Sequence, residues 1–174
     1  GSGQRMESAI PKQYLALGPQ AIARYSFDCF FHMDAISEIV VVCEEQYRHH
    51  FKAETKAIDI RFAPPGARRQ DSVLNGLNMA KNRRGLVCIH DVARPFITPA
   101  LVLLAIKAAE THGAAALAVP VKSTIKEANS NGIVTKTLNR ASLWEMQTPQ
   151  VIKAKLLHDA FEYILKYNIE VTDD

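Results

Sequence analysis

Cysteine is scarce. Cys29, Cys43 and Cys88 are the only three in 174 residues, and no two form a C-x-x-C pair. Cys43 and Cys88 sit inside apolar runs, so the set reads as buried free thiols in a reducing compartment and not as a disulfide framework. Long apolar runs are missing too: no segment approaches the roughly 20 residues that a membrane span needs. No basic-then-apolar secretory leader is present, and a cytoplasmic location is the resulting expectation. Charge of one sign is also lacking, since 21 Lys and Arg against 18 Asp and Glu leave a formal +3. With no interleaving of aromatic and basic residues, nucleic acid is excluded as the expected partner, and any useful positive charge has to be local. Repeats and low-complexity tracts are absent. What remains, 48% hydrophobic and 22% charged residues, is ordinary for a soluble globular protein with one real core.

Short apolar runs alternate with helical patterns. Glu38–Cys43, Ala57–Phe62, Gly85–His90 and Ala114–Val119 read as buried strands, being short and rich in β-branched or small apolar residues. Residues 20–31, 71–81, 99–111 and 154–167 carry apolar side chains at three-to-four spacing and read as helices. Thr98 is a fair N-cap for the third, and Pro99 suits its first turn. Such alternation argues for a parallel sheet covered on both faces, in a single domain over residues 1–174. One stretch departs from it. Between residues 121 and 146 lie two short strand-like pieces, Ser123–Lys126 and Ile133–Leu138, separated by the turn sequence Asn129-Ser-Asn-Gly132. This is a candidate β-arm, and a hairpin with little core of its own is expected to dock on a second subunit. The sequence starts on a glycine-rich loop and stops at Thr172-Asp-Asp174, so both ends are expected to be incomplete.

Four clusters carry candidate chemistry. The first is Gly1-Ser-Gly3-Gln-Arg5-Met6 with Pro11-Lys12-Gln13. Glycines let backbone N–H groups approach phosphate, while Arg5 and Lys12 add positive charge beside the loop. The second is Gly66-Ala67-Arg-Arg69-Gln-Asp71-Ser72 through Leu77, where Asp71 or Ser72 is expected to cap a helix whose start can hold an anion. The third, His90-Asp91-Val92-Ala-Arg94-Pro95, lies at the carboxyl end of a predicted strand, where open α/β sheets place their ligands. Asp91 there can hold Mg²⁺ against phosphate oxygens or form a salt bridge with Arg94. His90 reads as a satisfied strand-end histidine, because no second zinc ligand has suitable spacing. The fourth runs from Thr124-Ile-Lys126 through Asn139-Arg140 and Trp144 to Gln147-Thr148-Pro149-Gln150. Hydroxyl, Arg and Lys together suit a phosphomonoester; Trp144 reads as a packing anchor.

In order, G-S-G-Q-R-M, P-K-Q-Y-L, R-Q-D-S-V-L-N-G-L, H-D-V-A-R-P-F, T-I-K, N-R-x-x-L-W and Q-T-P-Q resemble the motifs of the methylerythritol phosphate cytidylyltransferases across nearly the whole chain. The resemblance implies a Rossmann-like fold with a β-arm interlocking two subunits. It also implies CTP and methylerythritol phosphate as substrates, Mg²⁺, and a role in isoprenoid precursor synthesis. By that resemblance Arg5 and Lys12 contact the triphosphate and Asp91 holds the metal. Gly1, Gly3, Gly66, Ala67, Ser72 and Val92 surround the nucleotide. Thr124, Arg140 and Thr148 meet the sugar phosphate, with Arg140 reaching across from a partner's arm. Two positions depart from the pattern: Ser123 stands where the family usually has Asp, and Ala67 where it often has an acidic residue. Two alternatives stay open: a pentitol (ribitol 5-phosphate) cytidylyltransferase, against which Lys126 and Leu143-Trp144 weigh, and a catalytically incompetent CTP-binding form.

Overall fold

The computed structural model describes residues 10–52 and 58–171. The α/β class expected from the alternating pattern is what forms. Strands β3 (Glu38–Val42) and β4 (Asp59–Ala63) pair in parallel, with Glu38 opposite Asp59 and Val42 opposite Ala63. Strands β5 (Leu86–Ile89) and β6 (Ala114–Pro120) flank β9 (Trp144–Lys153), each antiparallel to it, so β5 and β6 run in the same direction. Helices α1 (Ile22–Phe31), α2 (Arg69–Met79), α3 (Pro99–His112) and α4 (Ala154–Tyr167) fill the gaps. Short pieces β1 (Ala16–Leu17) and β2 (Gln20–Ala21) turn back at Gly18, whose φ of +63° suits glycine. That hairpin takes Gln20 and Ala21 from the predicted helix, so α1 begins at Ile22.

The strands alternate between two helical layers, as their period of two requires. Val87 and Ile89, with Ile152, pack on Leu77 of α2 and on Leu157 and Phe161 of α4. Their neighbours Leu86 and Cys88 turn the other way, onto Ala105 and Ala109 of α3 around Val151. In the parallel pair Ile39, Val41, Ile60 and Phe62 cover Ala23, Phe27 and Phe31 of α1, with Phe51 completing the cluster. Gly76 of α2 lies so near Val42 that an added Cβ would stand 3.0 Å from its Cγ2. Helix α2 therefore touches both sheets. Helix α4 keeps its predicted limits because Ala154, Leu157 and Phe161 form one buried stripe and Asn168, at φ +49°, ends it.

Local caps fix helix ends. Thr98 Oγ1 accepts from the Leu101 amide, Pro99 follows, and Gly113 at φ +89° closes α3. Thr98→Ala is expected to lower stability by about 1 kcal/mol, read as a shift of the urea midpoint with unchanged slope. Helix α2 starts earlier than its periodicity suggested. Its N-cap is Arg68, and Asp71 sits at the third helical position, where its carboxylate returns to the Arg68 amide at 3.0 Å. Neither Asp71 nor Ser72 is the capping residue.

Strand β9 is the element that sequence patterning did not reveal. Its W-E-M-Q-T-P-Q-V-I-K lacks alternation, and Pro149 argues against an interior strand. The chain tolerates it through an irregular register: Ala116 faces Gln150 while Ala118 faces Met146. Residues 147–149 of β9 thus stand opposite Leu117 alone, and the proline falls where no ladder donor is needed. Trp144 opens β9 and is 58% exposed, so it is no packing anchor within this chain. The arm consists of β7 (Lys126–Ala128) and β8 (Val134–Thr137), all exposed and paired with each other. Its first strand lies later than the expected 123–126, because Asn129 Oδ1 accepts from the amides of Asn131 and Ile133 and fixes the turn just after Ala128.

Candidate active site

Strand β5 delivers His90 and Asp91 to its carboxyl end, where the chain turns and the Arg94 amide donates to the Asp91 carbonyl at 2.9 Å. The Asp91 carboxylate is held from two sides. Arg69, in the first turn of α2, reaches Oδ1 at 2.5 Å; Arg94 Nε reaches Oδ2 at 3.4 Å. Arg94 also donates to Gln147 Oε1 in the irregular stretch of β9. Three segments separated by up to 78 positions (Arg69 to Gln147) thus meet around one carboxylate.

Beneath them runs a hydroxyl relay. His90 Nε2 lies 3.3 Å from the Arg94 carbonyl, an acceptor, so that nitrogen carries the hydrogen. Nδ1 is then the acceptor for Thr148 Oγ1 at 3.1 Å, and the same oxygen accepts from the Asp91 amide at 3.2 Å. Burial pushes the His90 imidazole pKa down, partly offset by the Arg94 carbonyl and by Asp91, which keeps the ring neutral at pH 7 and the relay intact. Thr148, buried, spends its hydrogen inward. The sequence reading of His90 as a satisfied strand-end histidine is what the structure contains.

The second loop closes on the start of α2. Ser72 Oγ accepts from the Gly66 amide at 2.9 Å and lies 3.3 Å from the Arg68 carbonyl, to which it donates. Gly66 is pressed onto the helix: an added Cβ would lie 2.4 Å from Asp71 Cβ and 2.8 Å from the Ser72 amide. The loop is thereby held against the helix that begins at Arg69, three residues after Gly66, and Arg69 ties it to Asp91.

Burial pushes the Asp91 carboxyl upward, but hydrogen bonds and charge from Arg69 and then Arg94 outweigh it and leave the group below the ordinary carboxylate value. A depressed folded-state pKa contributes stability above the unfolded value of about 3.9, and that contribution fades as pH falls through the lower folded value. Asp91 is about a third exposed, so no more than about 1 kcal/mol is expected. The stability gap between wild type and Asp91→Asn, from urea unfolding, should therefore shrink between pH 7 and pH 3.

Other candidate residues are more scattered. Gly1, Gly3 and Arg5 lie outside the described residues. Lys12 is exposed in a 3₁₀ turn, Lys12–Tyr14, fastened by Tyr14 stacking on Tyr47 at 3.9 Å. Tyr14 and Val92 pack against the same cluster under α1, and Ser26 Oγ donates to the Val92 carbonyl at 3.2 Å, so both segments border one core. Ala67 stays beside Gly66. Thr124 and Arg140 belong to the arm and are exposed; Arg140 donates to the Lys122 carbonyl at 2.7 Å and makes no described contact with the Asp91 cluster. Sequence reasoning passed over Arg69. The available signal was an arginine in a first helical turn, where the helix dipole disfavours positive charge, so a compensating carboxylate elsewhere was implied.

Among the described residues no three His, Cys, Asp or Glu side chains form a metal cage. A lone ionised carboxylate at a strand end instead suits Mg²⁺, which takes one or two carboxylates and completes its shell with phosphate and water. Among the described residues, Asp91, with Arg69 and Arg94 on its two carboxylate oxygens, is the strand-end group that could contribute one ligand to such an ion.

A family model described as IspD, 2-C-methyl-D-erythritol 4-phosphate cytidylyltransferase, matches residues 1–174. The chloroplastic 2-C-methyl-D-erythritol 4-phosphate cytidylyltransferase of Oryza sativa subsp. japonica is 49% identical over all of this chain, which spans 59% of it. The enzyme of that name from Clostridium botulinum is 37% identical, again over the whole chain, which spans 78% of its length. Among solved structures, 4-diphosphocytidyl-2C-methyl-D-erythritol synthase from Anaerococcus prevotii superposes with a TM-score of 0.84 at 27% identity, covering 92% of this chain and 74% of that one. The cytidylyltransferase of Francisella tularensis gives 0.82 at 28% identity, covering 99% and 78%.

Proposed function

Because this chain belongs to the 2-C-methyl-D-erythritol 4-phosphate cytidylyltransferase family, we propose that it joins CTP to 2-C-methyl-D-erythritol 4-phosphate, releasing pyrophosphate. The observation that carries the reading is the 2.5 Å Arg69–Asp91 pair, which brings the glycine-backed loop and the strand-end carboxylate to one place. A phosphate oxygen of the alcohol phosphate attacks the α-phosphorus of CTP in line. A new P–O bond forms as the bond to the bridging oxygen breaks, and the electron pair leaves with pyrophosphate. The nucleophile is already an anion, so the chain needs no general base. Its repulsion by the triphosphate is the obstacle, and catalysis is positioning plus charge neutralisation.

Lys12 and Arg5 neutralise charge on the α-phosphoryl group and the leaving pyrophosphate. Gly66, Ala67, Ser72 and Val92, with Gly1 and Gly3, shape the nucleotide pocket; Ser72 does so by closing the loop. Asp91 would hold Mg²⁺, which when bound supplies positive charge to the triphosphate. Thr124 and Arg140 would bind the sugar phosphate in a homodimer whose arms cross, a reading supported by the exposure of every residue of β7 and β8, Val134 at 56% among them, with Ile133 63% exposed beside them. Thr148, expected at the sugar phosphate, is buried with its hydroxyl committed to His90 and the Asp91 amide, and would serve by holding Asp91 in place. No described helix is long and apolar enough to cross a membrane. Three free cysteines suit a reducing compartment, the cytoplasm or, as in the name of the rice relative, a chloroplast.

Pyrophosphate release on mixing the protein with CTP, Mg²⁺ and 2-C-methyl-D-erythritol 4-phosphate tests the proposal. Release with ribitol 5-phosphate at equal or higher kcat/KM would overturn the substrate assignment. CTP binding without release would leave a binder only.

A further inference from the structure

Resting on the reading of the Gly66 loop as a nucleotide site, we propose that Gln70 is a positioning residue that couples nucleotide binding to the chain following α4. Gln70 is the second residue of α2 and only 3% exposed. A side-chain amide so deeply buried has to find partners. It finds them about a hundred positions away. Gln70 Nε2 donates to the Ile169 carbonyl at 3.3 Å, and Gln70 Oε1 accepts from the Val171 amide at 3.0 Å. A residue of a parallel strand bonds the two neighbours of its opposite number in the same way. The Gln70 amide thus takes the place of one strand residue opposite Glu170. Residues 169–171 fit that part, being half-buried, exposed and half-buried in turn. Glu170 also lies close enough to the exposed Arg68 guanidinium to favour its charged form.

The same helical turn carries the nucleotide loop. Ser72 accepts from the Gly66 amide, the Asp71 carboxylate returns to the Arg68 amide, and Arg69 reaches Asp91. Gln70 stands among these residues, and its buried side chain has little room to adjust if the turn moves. A nucleotide that holds the loop and the turn in one placement should therefore make the bonds to Ile169 and Val171 more persistent. Linkage is reciprocal, so those bonds should strengthen nucleotide binding by the same factor. A Gln70 that only braces the fold would change stability and leave nucleotide affinity alone.

Two measurements test this. Amide hydrogen exchange by NMR should show Val171 protected about three- to tenfold more strongly when CTP and Mg²⁺ saturate the wild-type protein. Calorimetry should show CTP bound more weakly by the same factor in Gln70→Met, which keeps the length of the side chain and loses both bonds. Val171→Pro removes the donated hydrogen from the other side without altering α2, and should weaken CTP in the same direction. It decides the matter if Gln70→Met does not fold. Val171 exchange unchanged by CTP overturns the proposal, and so does wild-type CTP affinity in whichever of the two variants is folded. Absence of CTP binding to the wild type is a different failure: the nucleotide site itself falls, and the coupling with it.

Discussion

Lys12→Ala is expected to lower turnover about 10²–10³-fold, by analogy with the loss of a preorganised transition-state donor. The argument rests on where the charge sits. Lys12 is exposed, so its ammonium is not part of the core, and the turn that carries it is fastened by the neighbouring side chain. Tyr14 stacks on Tyr47 and on His50, with Phe51 edge-on at 6.5 Å. Truncating Lys12 should therefore leave the turn in place and remove only the point charge. The loss should fall on kcat more than on the KM for CTP, since negative charge builds on the leaving pyrophosphate as the α-phosphorus is attacked. Steady-state pyrophosphate release checks it, with thermal unfolding as control. A variant with wild-type kcat would remove Lys12 from the mechanism.

Gly66→Ala should be the most disruptive single change in the nucleotide loop. The added methyl would stand 2.4 Å from Asp71 Cβ, 2.7 Å from the Asp71 carbonyl carbon and 2.8 Å from the Ser72 amide. Two of those three atoms are backbone, so no rotamer change relieves the contact. Either the loop lifts from the helix or the first turn of α2 shifts. Lifting breaks the 2.9 Å bond from the Gly66 amide to Ser72; shifting disturbs the Arg68–Asp71 capping box and moves Arg69 away from Asp91. Overpacking of this kind costs about 1–3 kcal/mol. Urea unfolding should show that loss, and calorimetry should show weakened CTP binding in the fraction that stays folded. Wild-type values in both measurements would mean that the loop has slack this packing does not suggest.

How much of this could be read in advance depended on whether the signal was local. Strands β3 and β5 follow from short runs such as Ile39-Val-Val-Val42, and α4 from Ala154, Leu157 and Phe161 on one stripe, because each pattern lies within a few residues. The start of α2 was misplaced by two residues because the cap is an arginine with its carboxylate at the third position, not a small polar residue. Strand β9 went unseen because Pro149 speaks against a strand and only the pairing with β6 reveals the irregularity that accommodates it. The candidate site divides in the same way. Asp91 is placed by the end of its strand, and its bond with Arg94, three residues on, was within local reach. Its partnership with Arg69 and the relay through Thr148 and His90 are tertiary, spanning 22 and 57–58 positions, and no spacing rule encodes them.

The three residues of β9 that face one residue of β6 also limit which changes in length the chain can absorb. Side chains on a strand swap faces with every single-residue slip. Beyond the irregular stretch, Val151 is fully buried toward α3 while Ile152 turns to α4. Deleting any one of Gln147, Thr148 or Pro149 would force a choice between two losses. Either the downstream half keeps its pairing with β5 and the Gln147–Arg94 and Thr148–His90 connections are pulled apart, or those connections persist and Val151 and Ile152 exchange layers. The segment is an offset built into the sheet, and its length is as specific as any side chain around it.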